Sequence, residues 1–275
     1  MIGGLKRATL VTLLGLLLVF VALTVTGCGE NFSIERVEHD LNIWGIPHEP
    51  WHLGRIGGFN LDLNPPTIIF TWVAMALTLL LCGAAARGAD MRRPSKLACL
   101  IEMVFDFLRG LVDESLGPKK GAGLYTLIFT YFLFITVANL LGLVPTAMAP
   151  TADHQTTFGL ALITFAMMYV WGIRYKGAKY FKHYLEPYPF FLPITIIEDL
   201  AKPLTLAFRL FGNMKGKEVM LLALLGLITG VAEVAGGFLA SVLWLAFGVF
   251  VSFIQAFVFT MLSIAYISMA VSEEH

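Results

Sequence analysis

The sequence contains few charged residues, and this scarcity limits what the protein can be. Only 14% of its 275 residues are Asp, Glu, Lys or Arg, and 57% are hydrophobic. An ordinary soluble domain carries roughly 25% charged residues. The 19 basic residues balance 19 acidic ones, and no basic run is dense enough to indicate a nucleic-acid partner. The composition therefore predicts an integral membrane protein.

Cysteine is scarce as well. The chain has three cysteines, at positions 28, 82 and 99, and their spacing is not that of metal ligands. His48 and His52 stand four residues apart, but Pro50 between them disfavours the helical geometry in which such a pair binds a metal. We therefore expect no disulfide framework, no metal site and no cofactor.

The N-terminus has the pattern of a secretory signal. Lys6 and Arg7 precede an apolar run over residues 8–25, and the segment ends in Val-Thr-Gly-Cys at Cys28. These last four residues resemble a bacterial lipoprotein processing box, which would make Cys28 a lipidated first residue. The alternative is an uncleaved signal anchor, because about 18 apolar residues can just span a bilayer. In both cases residues 29–66, with four prolines and no long apolar period, are predicted to form an external arm with short elements.

Residues 67–275 predict an all-α membrane domain with about five transmembrane helices. The segments with suitable length and apolarity are 67–86, 124–144, 156–173, 193–227 and 231–270. Basic residues follow the first and third of these segments, so both loops, and then the C-terminus, are predicted to be cytoplasmic. The amphipathic segment 95–116 is expected to lie along the cytoplasmic interface or to pack on neighbouring helices, although a short membrane hairpin is an alternative.

The last two helices are too long to stand upright in a bilayer. A helix of 35 residues measures roughly 52 Å, whereas the hydrocarbon core is about 30 Å thick. We therefore expect both helices to be strongly inclined and to lie side by side as an antiparallel pair. Pro203 removes one backbone hydrogen bond from the first of them and is expected to bend its axis.

Arg209 lies in the most apolar part of the first long helix. An arginine at the centre of a membrane helix costs roughly 2.5 to 3.5 kcal/mol, so such a residue usually faces a partner or a water-filled cavity. At 100° per residue, a single narrow polar face collects Glu198, Lys202, Thr205, Arg209, Asn213 and Lys217. The alternative is an arginine neutralised for packing by an acidic residue elsewhere in the chain.

Polar residues in two other helices are candidates to contact this face or to join helices. One face of the last helix carries small and polar residues, namely Ser241, Gly248, Ser252, Gln255 and Tyr266. Close packing through small residues alone would explain the glycine and serines but not Gln255. Asn139, in the second predicted span, is expected to form hydrogen bonds between helices.

Three stretches closely resemble subunit a of the F-type ATP synthase. They are PLTLAFRLFGNMKGKE from Pro203, QAFVFTMLSIAYISMAVSEEH from Gln255 and NLLGLVP from Asn139, and the resemblance covers roughly residues 35–275. It implies a non-catalytic, ion-translocating stator subunit with two half-channels that serve a rotating c-ring of subunit c. The implied partners are this ring, peripheral-stalk subunit b and the catalytic headpiece, in a bacterial plasma (inner) membrane.

The resemblance also implies roles for individual residues. Arg209 would be the arginine that separates the two half-channels, held near Gln255. Asn213 and Glu218 would match polar positions of the family on the same helix, and Glu218 would lie on the external access route. Lys215 and Lys217 depart from the family pattern, which usually has small or apolar residues there. Gly248 replaces an ionisable partner of the Glu218 position found in some relatives, and Glu233 is a candidate substitute.

The remaining candidates are weaker. Glu198 begins the polar face that leads to Arg209 on the cytoplasmic side, and Asp153 and His154 are candidates for the outer vestibule. Solvated loop charge is the ordinary expectation for such residues. Two other function classes stay open: a secondary transporter of an anionic solute, which predicts internal repeats that the sequence does not show, and a membrane lipoprotein scaffold.

Overall fold

The computed structural model describes residues 51–56, 59–88, 95–144, 149–177, 180, 192–226 and 231–272. The predicted signal, with Cys28, lies outside the described residues. The chain divides into two compact units, one formed by residues 1–46 with 220–245 and the other by residues 47–219 with 246–275. In the first unit the structure describes only helical segments, over residues 220–226 and 231–245. The second unit contains the elements discussed below.

A β-hairpin precedes the helices. Strands β1 (Trp51–Ile56) and β2 (Phe59–Leu63) pair antiparallel, with Trp51 opposite Leu63. The sequence Gly-Gly at positions 57 and 58 is a pattern that favours tight two-residue hairpin turns. The hairpin lies in the predicted arm of short elements, so the all-α prediction holds for the helical domain but not for this segment.

Seven α-helices follow in the part of the chain that the structure describes. They are α1 (Pro65–Arg87), α2 (Lys96–Leu116), α3 (Pro118–Gly121), α4 (Tyr125–Leu141), α5 (His154–Lys176), α6 (Leu192–Gly226) and α7 (Val231–Val271). A single 3-10 turn, Pro150–Ala152, precedes α5. The bounds of the predicted helices agree with these to within about three residues.

Local sequence signals explain where α2 begins and ends. The Ser95 hydroxyl caps the helix by accepting a hydrogen bond from the backbone N–H of Ala98 at 3.1 Å. Gly117 ends it with a φ of 73°, a left-handed conformation that favours glycine. These two residues therefore fix the ends of α2 at Lys96 and Leu116.

Three of the described helical segments are long and apolar enough to cross a membrane: Pro65–Arg87, His154–Lys176 and Ser241–Val271. Tyr125–Leu141 is apolar but has only 17 residues. Helix α6 is long enough, with 35 residues, but its charged side chains lower its hydropathy. The count of about five spans thus stays a prediction that rests on these two further helices.

Helix α4 lies at the centre of the second unit. On one side Leu124 and Ile128 pack with Leu108 of α2 and with Ile264 and Ile267 of α7. In α2, Leu108 and Val112 are therefore buried against neighbouring helices, whereas Leu100, Met103 and Phe107 are exposed. The position of α2 relative to a membrane stays a prediction. On the other side a second cluster joins α4, α5, α6 and α7 and contains Tyr131, Ile135, Ala161, Leu206, Ala207, Leu210, Ala256 and Phe259.

Side-chain contacts show the relative direction of α6 and α7 within the second unit. Gln255 bonds to Leu210, and Ser252 bonds to Lys217. Residue numbers fall along α7 as they rise along α6, so these stretches pack antiparallel, as predicted. Their inclination in a membrane stays a prediction.

Candidate functional site

Arg209 lies on the exposed side of α6. It borders a narrow cavity of about 10 Å³ that is otherwise lined by Leu206, Leu210, Gln255, Phe259 and Leu262. Within the described residues its guanidinium makes no ion pair and no hydrogen bond. The alternative of an arginine neutralised inside its own chain therefore finds no support in the part of the chain that the structure describes.

Gln255 is the polar residue that α7 contributes to this cavity. Its side chain is 4% exposed, and its Nε2 donates a hydrogen bond of 2.9 Å to the Leu210 carbonyl of α6. Its Oε1 is buried and has no hydrogen-bond partner among the described atoms. A buried acceptor of this kind is costly unless a donor reaches it. The hydrogen bond to Leu210 thus fixes the Gln255 amide beside the residue that follows Arg209. The Oε1 of Gln255 remains an unpaired acceptor among the described atoms at the same cavity.

The surface around Arg209 is mostly apolar. Thr205 and Asn213 are exposed with it, and we call these three residues the open face of α6. Leu204 and Phe208 beside them are 44% and 56% exposed. A cation surrounded by exposed hydrocarbon is expensive in a bilayer unless an external charge meets it. The open face is therefore suited to a partner that combines an apolar surface with an acidic group.

Lys217 does not share the open face, so its predicted place on one narrow polar stripe is wrong. Its side chain is buried, with 6% exposure, whereas Arg209 is exposed. The reason is the helical repeat: each four-residue step advances about 40° around the axis, so eight residues separate the two by roughly 80°. The Lys217 ammonium instead donates a 3.1 Å hydrogen bond to the Ser252 hydroxyl of α7 and lies 3.6 Å from the Met214 sulfur.

Lys217 belongs to a buried polar cluster that joins four elements. The Ser252 hydroxyl also donates to the Gly248 carbonyl at 2.7 Å. Asn139 of α4 contacts the Ser252 carbonyl through Nδ2 at 3.5 Å and accepts a 2.7 Å hydrogen bond from Thr151 through Oδ1. The prediction that Asn139 bonds between helices is confirmed. We call Lys217, Ser252, Asn139 and Thr151 the buried polar cluster.

The other residues of the polar face of α7 point in several directions. A Cβ at Gly248 would lie 2.5 Å from a methyl group of Leu143, so a larger side chain at this position would require the Leu143 side chain to move. Tyr266 packs against both apolar clusters. Ser241 belongs to the first unit. Only Ser252 and Gln255 of the five predicted residues are therefore bonded to α6 within the second unit.

On the cytoplasmic side predicted for α6, the structure draws attention to Asp199 rather than to Glu198. The Glu198 side chain is 66% exposed, and its carboxylate lies 3.9 Å from the Lys202 ammonium. The Asp199 side chain is 12% exposed and lies 2.6 Å from the same ammonium. Tyr169 of α5 donates a 3.3 Å hydrogen bond to the other Asp199 oxygen. Asp199 was expected, like the other acidic residues on the predicted cytoplasmic side, to be a solvated charge, and its burial corrects that expectation.

Asp153 is buried, with 9% exposure, so the expectation of a solvated charge is wrong for it. Its carboxylate accepts hydrogen bonds from Asn64 at 2.9 Å, from Thr67 at 2.8 Å and from the Gln155 N–H at 3.0 Å. Burial raises the pKa of Asp153, but these hydrogen bonds and nearby His154 outweigh it and hold the pKa below its usual range. Asp153 thereby ties the start of α1 to the start of α5.

His154 differs from its neighbour, because its side chain is 65% exposed. A cleft of about 240 Å³ lies close by and is lined by Asn64, Thr67, Ile68, Thr71, Trp72, Gln155 and Thr156. A place for both residues at an outer vestibule stays a prediction. The side chains of Glu218 and Glu233 lie outside the described residues, so their predicted roles stay predictions too. Among the described residues no group of three or more His, Cys, Asp or Glu side chains comes together to hold a metal ion.

Comparisons with known proteins cover the part of the chain that contains the site. The family model described as ATP synthase A chain matches residues 68–268, which include the open face, Gln255 and the buried polar cluster. ATP synthase subunit a of Desulforamulus reducens is 45% identical over 247 residues, which cover 88% of this chain and 92% of the relative.

Two more distant relatives have the same description. ATP synthase subunit a of Bacillus subtilis is 36% identical over 234 residues, covering 78% of this chain and 95% of the relative. ATP synthase subunit a 1 of Syntrophotalea carbinolica is 41% identical over 214 residues, covering 76% and 86%. Because the family model and these relatives cover most of the chain, the chain belongs to the ATP synthase A chain family.

Proposed function

We propose that the chain is the ion-conducting stator subunit of a rotary ATP synthase and that its ion is the proton. It is not catalytic by itself. It offers two half-channels to carboxylates on a rotating c-ring, while peripheral-stalk subunit b holds it against the catalytic headpiece. Its place is a bacterial plasma membrane, with the arm of residues 29–66 outside and the C-terminus in the cytoplasm.

The observation that carries this proposal is the exposed guanidinium of Arg209 on an apolar surface, with no bonded partner among the described residues. Such a charge needs an acid from another molecule. A carboxyl group surrounded by lipid favours its neutral, protonated form, because burial disfavours charge. Beside Arg209 the ionised form is favoured instead. Passage of a ring carboxyl past this residue would therefore release a proton on one side and allow uptake on the other.

Arg209 also opposes direct leakage between the half-channels. A fixed positive charge in a medium of low dielectric constant repels an approaching proton over several ångströms. The hydrogen bond from Gln255 to Leu210 holds the amide next to this charge and supports a fixed position for it. A membrane potential of 100 mV supplies about 2.3 kcal/mol for each charge that crosses, and offset half-channels would convert this into rotation.

The two half-channels are assigned from the positions of polar groups along α6. Asn213 and Glu218 follow Arg209 toward the outer side, and Glu198 begins the cytoplasmic side. Lys217 adds a positive charge roughly 12 Å along the axis from Arg209, at about 1.5 Å per residue. Lys217 departs from the family pattern, but it lies in the buried polar cluster rather than on the open face.

Replacement of Arg209 by alanine tests the proposal in the assembled ATP synthase in inverted membrane vesicles. We expect loss of both ATP synthesis driven by a proton gradient and proton pumping driven by ATP. Arg174→Ala, which removes an exposed cation at the end of α5, is the matched control and should leave both activities intact.

Intact coupling in Arg209→Ala would contradict the proposal. Intact coupling with lost uptake of an anionic solute would favour the secondary transporter instead, and loss of neither activity would favour the scaffold. The proton assignment is tested by omission of sodium: coupling that requires added Na⁺ would overturn it.

A further inference from the structure

Lys202 is a second cation on the polar face of α6. Its side chain is mostly buried and paired, whereas the side chain of Arg209 is exposed. The Lys202 side chain is 16% exposed, and its ammonium lies 2.6 Å from Asp199. Asp199 is in turn bonded by Tyr169 of α5. The ammonium is therefore drawn toward the α5 side of α6, while Thr205 and Arg209 remain exposed.

Without Asp199, the Lys202 charge would share the face of Arg209. Seven residues separate the two cations, which corresponds to about 20° around the axis and roughly 10 Å along it. Lys202 has a long, flexible stem, so its ammonium can move by several ångströms when its partner is lost. A proton that leaves the open face toward the cytoplasm would then meet an additional positive charge.

We propose that Asp199 is a positioning residue that holds the Lys202 ammonium against α5 and so keeps a second positive charge out of the cytoplasmic proton path. This inference rests on the proposed function. Asp199 does not itself carry the proton. Tyr169 steadies it from α5 by occupying its second carboxylate oxygen, and the exposed Glu198 is a weaker partner of Lys202 at 3.9 Å.

Asp199→Asn removes the charge that holds Lys202 and is nearly the same size. We expect passive proton conductance, measured by fluorescence quenching in vesicles stripped of the catalytic headpiece, to fall roughly tenfold, since two cations about 10 Å apart repel noticeably even at an effective dielectric constant near 20. Conductance is normalised to the amount of the chain in the membrane, so that poor assembly does not count as slow conduction.

Two double variants separate this role from a proton relay. Asp199→Asn with Lys202→Met removes the released charge and should restore conductance to within about twofold of the unmodified complex. Asp199→Asn with Lys202→Arg keeps the positive charge on a long side chain, so its proton conductance should stay as low as that of Asp199→Asn. If Asp199 carried protons, both double variants would be slow, and that result would overturn the proposal. Normal conductance in Asp199→Asn would overturn it as well.

A charge-swapped variant provides a second test if Asp199→Asn complexes do not assemble. Asp199→Lys with Lys202→Asp keeps the pair but moves the cation to the α5 side, so conductance should be retained, and a tenfold loss would contradict the proposal. Failure of this inference is distinct from failure of the proposed function. Loss of coupling in Arg209→Ala with normal conductance in Asp199→Asn would reject only the role of Asp199.

Discussion

Arg209 and Lys217 are both cations of α6 and stand eight residues apart, yet one is exposed and the other is buried. Arg209 is exposed and has no bonded partner among the described residues, whereas Lys217 is 6% exposed and bonded to Ser252. The same contrast separates Asn213 from Asn139. Asn213 is exposed, whereas Asn139 is fully buried in a hydrogen-bonded cluster. Charge and polarity alone therefore do not distinguish a residue that meets a partner from one that holds the chain together.

The difference indicates that substitutions in the two regions will change different quantities. Residues of the buried polar cluster contribute to the free energy of unfolding, because they satisfy one another inside the chain. In the proposed function, residues of the open face meet a partner outside the chain, so their removal should cost little stability and much activity. Substitutions in each region test whether stability and activity depend on different residues, from the largest expected change in stability to the smallest.

Ser252→Ala should destabilise the chain by about 2 kcal/mol, because the Lys217 ammonium would lose its hydroxyl acceptor in a buried position. The measurement is reversible unfolding of the purified chain by SDS titration in mixed micelles. Ser263→Ala is the matched control, since that hydroxyl is equally buried and, among the described residues, bonds to the Phe259 carbonyl of its own helix. Adding Lys217→Met to Ser252→Ala should recover most of the loss. Equal effects of the two serine variants would contradict a special role for the cluster.

Asp153→Asn should cost about 1 kcal/mol near neutral pH, because the carboxylate accepts three hydrogen bonds that a neutral amide satisfies less well. The pKa of Asp153 is lowered in the folded chain, so its contribution is present above the unfolded pKa of about 3.9 and is lost as the pH falls through the folded pKa. The difference in the free energy of unfolding between Asp153→Asn and the unmodified chain should therefore shrink toward pH 3.

The same unfolding titration, repeated at several pH values, tests this dependence. Asp106→Asn, at an exposed position of α2, serves as the control for the loss of a carboxylate without buried hydrogen bonds. A loss for Asp153→Asn that is constant from pH 3 to pH 7 would show that the lowered pKa does not contribute.

Asn213→Ala should change the free energy of unfolding by less than about 0.5 kcal/mol, as is usual for exposed positions. Its effect should appear in ATP-driven proton pumping, which we expect to fall because Asn213 lies one turn from Arg209 on the open face. Asn139→Ala is the comparison of equal chemistry and should lower stability by about 1 kcal/mol. A larger stability loss in Asn213→Ala than in Asn139→Ala would reverse the assignment of the two regions.

Several features of the fold could be predicted from the sequence because they depend on local chemistry. Long apolar periods and charge-rich loops are read directly from the chain, so the helices were located to within about three residues. Arg209 and Gln255 could be singled out because a polar group in a long apolar run is rare and expensive, and their roles in ion translocation stay predictions. Asn139 could be predicted as a hydrogen-bonding residue between helices for the same reason.

Other features depend on which neighbour each side chain meets. Lys217 was placed on the open face because a coarse helical repeat does not separate residues about 80° apart, whereas the packing of α7 does. Asp199 was expected to be a solvated charge because no local pattern shows that Tyr169 of a different helix, 30 positions earlier in the chain, bonds to it. Asp153 was expected to be solvated because no local pattern shows that Asn64 and Thr67 reach it.

The sequence by itself determined that this chain is mostly helical, that several of its helices are apolar enough to cross a membrane, and that Arg209 stands within an apolar stretch, because these are properties of the residues. Only the tertiary structure decided which polar side chains are satisfied within the chain and which remain exposed to a partner. That choice depends on hydrogen bonds between α4, α5, α6 and α7, and such bonds are made between residues that are distant in sequence.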